Sequence, residues 1–427
     1  MKDKYDSNKQ GYRSTRRNML SLLSMLPFSP GILNAAANNL YNGQGAQLTG
    51  DALPAKNMFA IKGIYLNAAY THPMSIGSAA NVKNYLDYRL ANGKAVDTID
   101  EDRNTARQLF ARLINAGEDE ISWVPSTMVG ENMVVNGLGL PGTKARIVTD
   151  AYHFDGSLYL YNQLAKQGAD VKMVLPKNNR IALDDMDAAI TPGTKLVAVS
   201  LVSMINGFQH DLKALCDLAH SRGALVYADI IQAAGVVPVD VHASGVDFCA
   251  CATYKWLMGD FGAGFLYVRS DRLPLLKRSQ FGYRQLTGMQ SHILPFDAAG
   301  NTPFEFTQGD KTRHYFEVGT LGNAAVPALI FSLNYLLKTG VEAIQNYRQP
   351  MITALQQQLP AMGYQPMTPL DSTSPIISFA FQGAEQKLGK KLADAGINIQ
   401  LYKNRFRISP SVYNTMDDVS RLIEVLT

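Results

Sequence analysis

Seven short apolar runs, each followed by a stretch of helical character, constrain this chain more than any other feature. They fall at residues 121–124, 145–148, 171–174, 196–202, 225–228, 248–252 and 264–268. Such runs read as buried strands of a mostly parallel sheet, because the helices that cross between parallel strands cover both faces. The class is therefore α/β, with a large domain built on a seven-stranded sheet. In open sheets of this kind ligands sit beyond the carboxyl ends of the strands. Spaced Leu, Tyr, Val and Phe positions predict a helix over 82–115. From residue 320 two helical segments lead into a smaller α+β region with strands at 376–380, 397–401 and 406–408 and a closing helix at 417–426. We divide the chain into an N-terminal segment at 38–80, a large domain at 81–320 and a small domain at 321–427.

The 427 residues are enough for two or three substantial cores, and 46% hydrophobic with 18% charged residues is an ordinary globular balance. The net charge of +4 is small, and no long Lys/Arg run follows residue 20, so a nucleic-acid partner has no electrostatic support. Cys216, Cys249 and Cys251 lie in apolar patterns and read as buried thiols, not as a metal site or a disulfide framework.

The first 37 residues read as a signal peptide. Ser14-Thr15-Arg16-Arg17-Asn18 is a twin-arginine pattern, an uncharged apolar stretch follows at 19–26, and Ala35-Ala36-Ala37 offers small residues for cleavage. The apolar stretch is too short for a stable membrane anchor. A paired arginine before such a run is the address of the Tat machinery, which makes the periplasm the expected location. A disordered basic tail is the alternative.

Two of the runs end on chemistry. Val226-Tyr227-Ala228-Asp229 closes on an acid, and 26 positions later Ala252-Thr253-Tyr254-Lys255 closes on an amine, ahead of Gly259. A buried Asp needs a cation or donors. A Lys amine can hold an aldehyde as a Schiff base, and a carboxylate can keep a pyridine nitrogen protonated so that the ring acts as an electron sink. Those are the requirements of pyridoxal phosphate. A helix-capping Asp and a solvated Lys are the bland alternatives. Ser126-Thr127-Met128 follows the first run and opens a helix, where free N–H groups and the dipole suit a phosphate. A plain N-cap would look the same.

Residues 60–427 resemble the class V aminotransferase family of fold-type I pyridoxal phosphate enzymes, in its isopenicillin N epimerase-like branch. Kynureninase and the cysteine desulfurases are more distant. The resemblance is carried by Asn206-Gly207-Phe208-Gln209-His210-Asp211-Leu212, Gly245-Val246-Asp247-Phe248, the Lys255 run, Gly319-Thr320 and Arg407-Ile408-Ser409-Pro410. It implies catalytic roles for Lys255 and Asp229. It places Ser126, Thr127 and Met128 in the phosphate loop, with Met128 standing where the family has a second Thr. His153 would lie over the pyridine face, with Tyr152 as its rival if the alignment slips by one. Gln232 would lie near the phenolic oxygen, and the hydroxyls of Thr253 and Tyr254 would reach the phosphate. Thr320 would serve a partner subunit, which implies a homodimer. Arg405 and Arg407 share a strand face; Arg407 matches the family's wording and suits a bidentate carboxylate contact with substrate. Asn67, in the short strand 63–69 at the site's entrance, is also assigned to the substrate. No metal is implied.

The expectation is an exported enzyme acting on an amino acid, or an amino-acid-like part of a peptide, through an external aldimine. Aminotransferase ranks first, and an epimerase or kynureninase-like lyase second. By family analogy, tailoring of a peptide siderophore in the periplasm is one such task. A desulfurase needs a mobile nucleophilic Cys in its C-terminal half, and no Cys follows Cys251. A non-catalytic binding protein on the same fold is the rival of another class, and intact Lys255, Asp229 and Gln232 argue against it. Replacing Arg16 and Arg17 together by Lys keeps the charge but removes the address. Fractionation is expected to find this double variant in the cytoplasm; normal periplasmic levels would rule out the Tat signal.

Overall fold

The computed structural model describes residues 53–93, 95 and 97–427, so the expected signal peptide lies outside the described residues. All seven apolar runs are strands: β1 (Ile121–Val124), β2 (Arg146–Asp150), β3 (Asp170–Val174), β4 (Thr194–Ser200), β5 (Leu225–Asp229), β6 (Phe248–Ala252) and β7 (Gly264–Val268). They form one sheet in the order β1-β7-β6-β5-β4-β2-β3. β7 runs antiparallel to both of its neighbours, and the other pairs are parallel. The chain between β6 and β7 is too short for a crossover helix, so it can only turn back.

Burial explains why these runs lack alternation. Val197 and Val199 of β4 sit in one hydrophobic core, while Leu196 and Ala198 sit in another on the opposite face. Both faces are covered, and most strand positions are apolar for that reason. β3 is the exception, with mostly exposed positions at the sheet's edge. The three thiols are buried and unpaired.

The expected helix over 82–115 is two helices, α1 (Ile76–Asn92) and α2 (Ile99–Leu113). Gly93 ends the first in the left-handed region, at φ 67°, with its N–H on the carbonyl of Arg89. Apolar spacing continued across the break and hid it. A second departure lies at 397–401. Ile397–Asn398 pairs in parallel with Ile64–Tyr65, whereas Gln400–Tyr402 joins an antiparallel four-stranded sheet with Gln365–Pro366, Ile377–Ala380 and Arg405–Ile408. The N-terminal segment is thus stapled to the C-terminal region, a pairing no local pattern announces. The sequence reading also assigned nothing to the exposed hairpin Leu286–Ser291 and Phe304–Gln308.

The small sheet packs its own core of Met351, Ile352, Phe379, Phe406, Val419 and Leu422. It meets the large sheet through the turn after β4. Ser378 Oγ donates to the Ile205 carbonyl at 2.8 Å, Ser372 Oγ to that of Gly207 at 2.9 Å, and Asn206 Nδ2 to that of Met367 at 3.1 Å. Gly207 makes this approach possible. Its φ is +75°, and an added Cβ would lie 2.3 Å from the Ile376 carbonyl oxygen. Gly207→Ala is expected to cost about 3 kcal/mol in denaturant unfolding. A loss below about 0.5 kcal/mol, the ordinary range of surface changes, would show that the turn adapts.

Candidate active site

The carboxyl ends of the central strands converge on two charged side chains. Asp229 is the last residue of β5, paired with Ser200 of β4 on one side and Ala250 of β6 on the other. It is buried. Its Oδ1 accepts the Ile231 N–H at 2.9 Å, and among the described residues Oδ2 has no hydrogen-bond partner. Burial raises its pKa to about 6, against the pull of His153, the Ile231 amide and Lys255.

Lys255 lies in the tight turn after β6, where the Gly259 N–H bonds the Thr253 carbonyl. A Cβ on Gly259 would sit 2.7 Å from Thr253 Cβ, which accounts for the glycine after the lysine. The amine is buried, and among the described residues Nζ has no ion pair or hydrogen bond; the Tyr254 ring centroid is 5.7 Å away. Burial lowers its pKa to about 8, Asp229 opposes this, and Arg407 adds to it. A lysine held this way is a nucleophile at mildly alkaline pH.

The third element is the N-terminus of α3 (Thr127–Gly137). Ser126 caps it, with Oγ accepting the Val129 N–H at 3.2 Å and its carbonyl accepting that of Gly130. The N–H groups of Thr127 and Met128 remain open at the positive end of the helix. Thr127 Oγ1 accepts the Ala252 N–H at 2.9 Å, which ties the cup to the end of β6. Both hydroxyl oxygens are thereby fixed while their hydrogens can still donate. Met128 contributes its backbone; its sulfur lies 3.4 Å from Ser157 Oγ.

The remaining expected residues fall into distinct surroundings. Gln232 is buried, with Nε2 donating to the Ala69 carbonyl at 3.1 Å and Oε1 accepting Trp256 Nε1–H at 2.9 Å. Arg407 is buried, and Nη1 donates to the Met204 carbonyl at 3.0 Å. Its Nε–H has no acceptor among the described residues, and burial lowers its pKa. Asn67 donates to Asn398 Oδ1 at 3.1 Å, while its own Oδ1 is buried without a partner among the described residues. Arg405 lies over the Tyr402 ring at 3.6 Å and is not buried. Tyr254 stacks on Phe261 at 4.5 Å.

One residue, Thr253, makes a contact that the sequence did not suggest, and His153, Tyr152 and Thr320 have surroundings of their own. The Thr253 hydroxyl donates to the Asp260 carbonyl at 2.6 Å, so its proton holds the turn and is not free for a phosphate. His153 is completely buried, and both ring nitrogens bond protein groups, Glu131 and Ser200. Tyr152, its rival, is also buried, near Phe208. Thr320 is exposed, with its hydroxyl 3.3 Å from that of Tyr283. Sequence reasoning missed Glu131. An acid four positions after Thr127, on the inward face of α3, was the available signal.

Among the described residues no His, Cys, Asp and Glu cluster could hold a metal, and no helix is long and apolar enough to cross a membrane. The open Asp229 oxygen, the unpartnered Lys255 amine and the two open amides of α3 match a pyridine nitrogen, an aldehyde and a phosphate. This is the site of a fold-type I pyridoxal phosphate-dependent enzyme, and pyridoxal phosphate is its cofactor. The chain belongs to the class-V aminotransferase family, whose model matches residues 78–422. It is 26% identical over 344 residues to an uncharacterized aminotransferase of Bacillus subtilis, covering 80% of this chain and 88% of the relative. A probable cysteine desulfurase of Methanothermobacter thermautotrophicus is 27% identical over 302 residues, 68% of this chain and 71% of that one. In fold the chain is similar to an apo cysteine desulfurase from Thermococcus onnurineus, with a TM-score of 0.75 at 23% identity over 85% of this chain and 94% of the other. The cystine C-S lyase C-DES gives 0.74 at 18%, over 86% and 97%.

Borohydride reduction of the holoenzyme is expected to fix the cofactor to Lys255, and Lys255→Ala to abolish the attachment. Capture of the cofactor by the apo-protein should quicken as pH rises through about 8, because only the free amine reacts and burial has lowered its pKa to that value. A label mapped to another lysine would refute the assignment.

Proposed function

We propose that this protein is an aminotransferase for a substrate carrying a carboxylate beside its amino group, an α-amino acid or the equivalent end of a peptide. The observation that carries the reading is Arg407. Its buried guanidinium has an unused Nε–H and lies near enough to Lys255 to disfavour the lysine's charge. A carboxylate bound by Arg407 would satisfy that donor and set the adjoining amine toward Lys255. Bound in this site, pyridoxal phosphate supplies an electron-poor ring that stabilises negative charge on the carbon next to the substrate nitrogen. Asp229 holds the ring nitrogen's proton. Lys255 Nζ, once free, would take the proton from that carbon. Asn67 Oδ1, a buried acceptor without a donor among the described residues, orients the substrate's N–H groups.

Desulfurase relatives raise a second reading, but the cysteines speak against it. Cys249 and Cys251 are buried in β6, and burial pushes both thiols far up; the Cys216 thiol is pushed up to about 12. None can present a thiolate to the sulfur of a substrate cysteine. Within the family we place the chain in the isopenicillin N epimerase-like branch on its Lys255 and Arg407 wording. We further assign it to the periplasm by Tat export and to a homodimer. Exposed Thr320 supports the dimer, since it has no task in its own subunit's site.

The holoenzyme should be incubated with common L-amino acids, with and without 2-oxo acid acceptors. Formation of the matching oxo acid supports transamination. Exchange of the α-hydrogen with solvent deuterium and no oxo acid would identify an epimerase instead, and side-chain loss a lyase. Arg407→Ala should raise KM for the amino donor at least about tenfold, the worth of one charge-assisted hydrogen bond, with cofactor absorbance kept. An unchanged KM would remove Arg407 from substrate binding.

A further inference from the structure

Glu131 is fully buried on α3, and no contact described above for the cofactor uses it. A carboxylate in that position needs donors. Tyr161 donates its hydroxyl to Oε1 at 2.7 Å, His153 donates Nε2–H to the same oxygen at 3.1 Å, and Ser157 donates to Oε2 at 2.5 Å. The other His153 nitrogen, Nδ1, lies 2.8 Å from Ser200 Oγ. Glu131, His153, Ser157 and Tyr161 are all at 0% exposure, so water cannot substitute for any of them. Ser200 ends β4, and its partner across the ladder is Asp229. The network therefore begins on the helix that faces the phosphate and ends on the residue beside the acid.

We propose that Glu131 is a positioning residue for the cofactor's pyridine nitrogen: it holds His153 as a cation against the end of β4, and that cation keeps Asp229 a carboxylate. The proposal rests on the reading that Asp229 faces the pyridine nitrogen. Burial works against a charged His153, but Glu131, with help from Asp229 and Asp150, outweighs it and raises the ring's pKa. At Asp229 burial favours the neutral acid, and His153 is the strongest group opposing it; Glu131 acts the other way, more weakly. Removing the Glu131 charge thus has two opposed effects. It relieves a weak repulsion of Asp229, and it leaves His153 to lose its proton. The second is larger, so Asp229 and then the pyridine nitrogen lose charge.

The experiment uses the holoenzyme with pyridoxal phosphate labelled with 15N in the ring and with 15N-histidine, observed by NMR at neutral pH. In the native protein both His153 nitrogens and the pyridine nitrogen should carry protons. Glu131→Gln should neutralise His153 and move the pyridine signal into the unprotonated range. Tyr161→Phe removes a bond to Glu131 but no charge, so it should lower the unfolding temperature and leave both signals in place. If Glu131→Gln does the same, the residue is structural and the proposal is overturned. A neutral His153 in the native holoenzyme overturns it too, without any variant. Asp229→Asn separates the two levels. If it leaves the pyridine signal unmoved, the reading of Asp229 fails and takes this proposal with it. If it moves the signal while Glu131→Gln does not, only the role of Glu131 falls.

Discussion

A carboxylate buried at the end of β5 is the constraint on which the rest of this structure depends. Asp229 sits in a sheet covered on both faces, where an unpaired charge is costly, and among the described residues hydrogen bonds reach only one of its oxygens. Three nearby groups answer that imbalance, while Glu131 opposes them weakly. The Ile231 amide, the His153 ring and the Lys255 amine all favour the charged form, and burial still holds the acid's pKa up at about 6. Such a group is poised for a cationic ligand and incomplete without one. The same low dielectric lowers Lys255 toward neutrality, so one desolvated environment prepares both an acceptor for a ring nitrogen and a nucleophile for an aldehyde.

The substrate end of the site depends on a different feature, the joining of distant parts of the chain. Ile64–Tyr65 pairs with Ile397–Asn398, Asn67 bridges to Ser409, and the Ala69 carbonyl accepts from Gln232. One short N-terminal segment therefore touches the small sheet through Asn67 and the residues around the cofactor through Gln232. Arg407 is held from the other side by the Met204 carbonyl in the turn after β4. A displacement of the small sheet would move Arg407 relative to Lys255, so the packing of the Gly207 turn bears on substrate geometry as well as on stability.

The α/β class, the seven strands and the Lys255–Asp229 pair were legible in the sequence. Strands covered on both faces are apolar at most positions, and an acid and an amine at the ends of such runs stand out against that background. Arg407 was legible through the family resemblance of Arg407-Ile408-Ser409-Pro410, although Arg405 shares its strand. Local signals could not show the break at Gly93, because apolar spacing ran on past it. Nor could they show that the Thr253 proton is taken by a carbonyl within its own turn.

What the sequence alone determined is the set of elements and the identity of the reactive groups, because strand burial and side-chain chemistry are written residue by residue. What only the tertiary structure decided is which groups share an environment. Glu131 and His153 are far apart in sequence and lie on different elements, yet they meet at 3.1 Å with no exposure to solvent. Asn67 and Arg407 come from opposite ends of the chain. Pairing of this kind is set by which strand neighbours which, and by where water is excluded. Neither has a local trace, since both arise only once the sheets are assembled and packed.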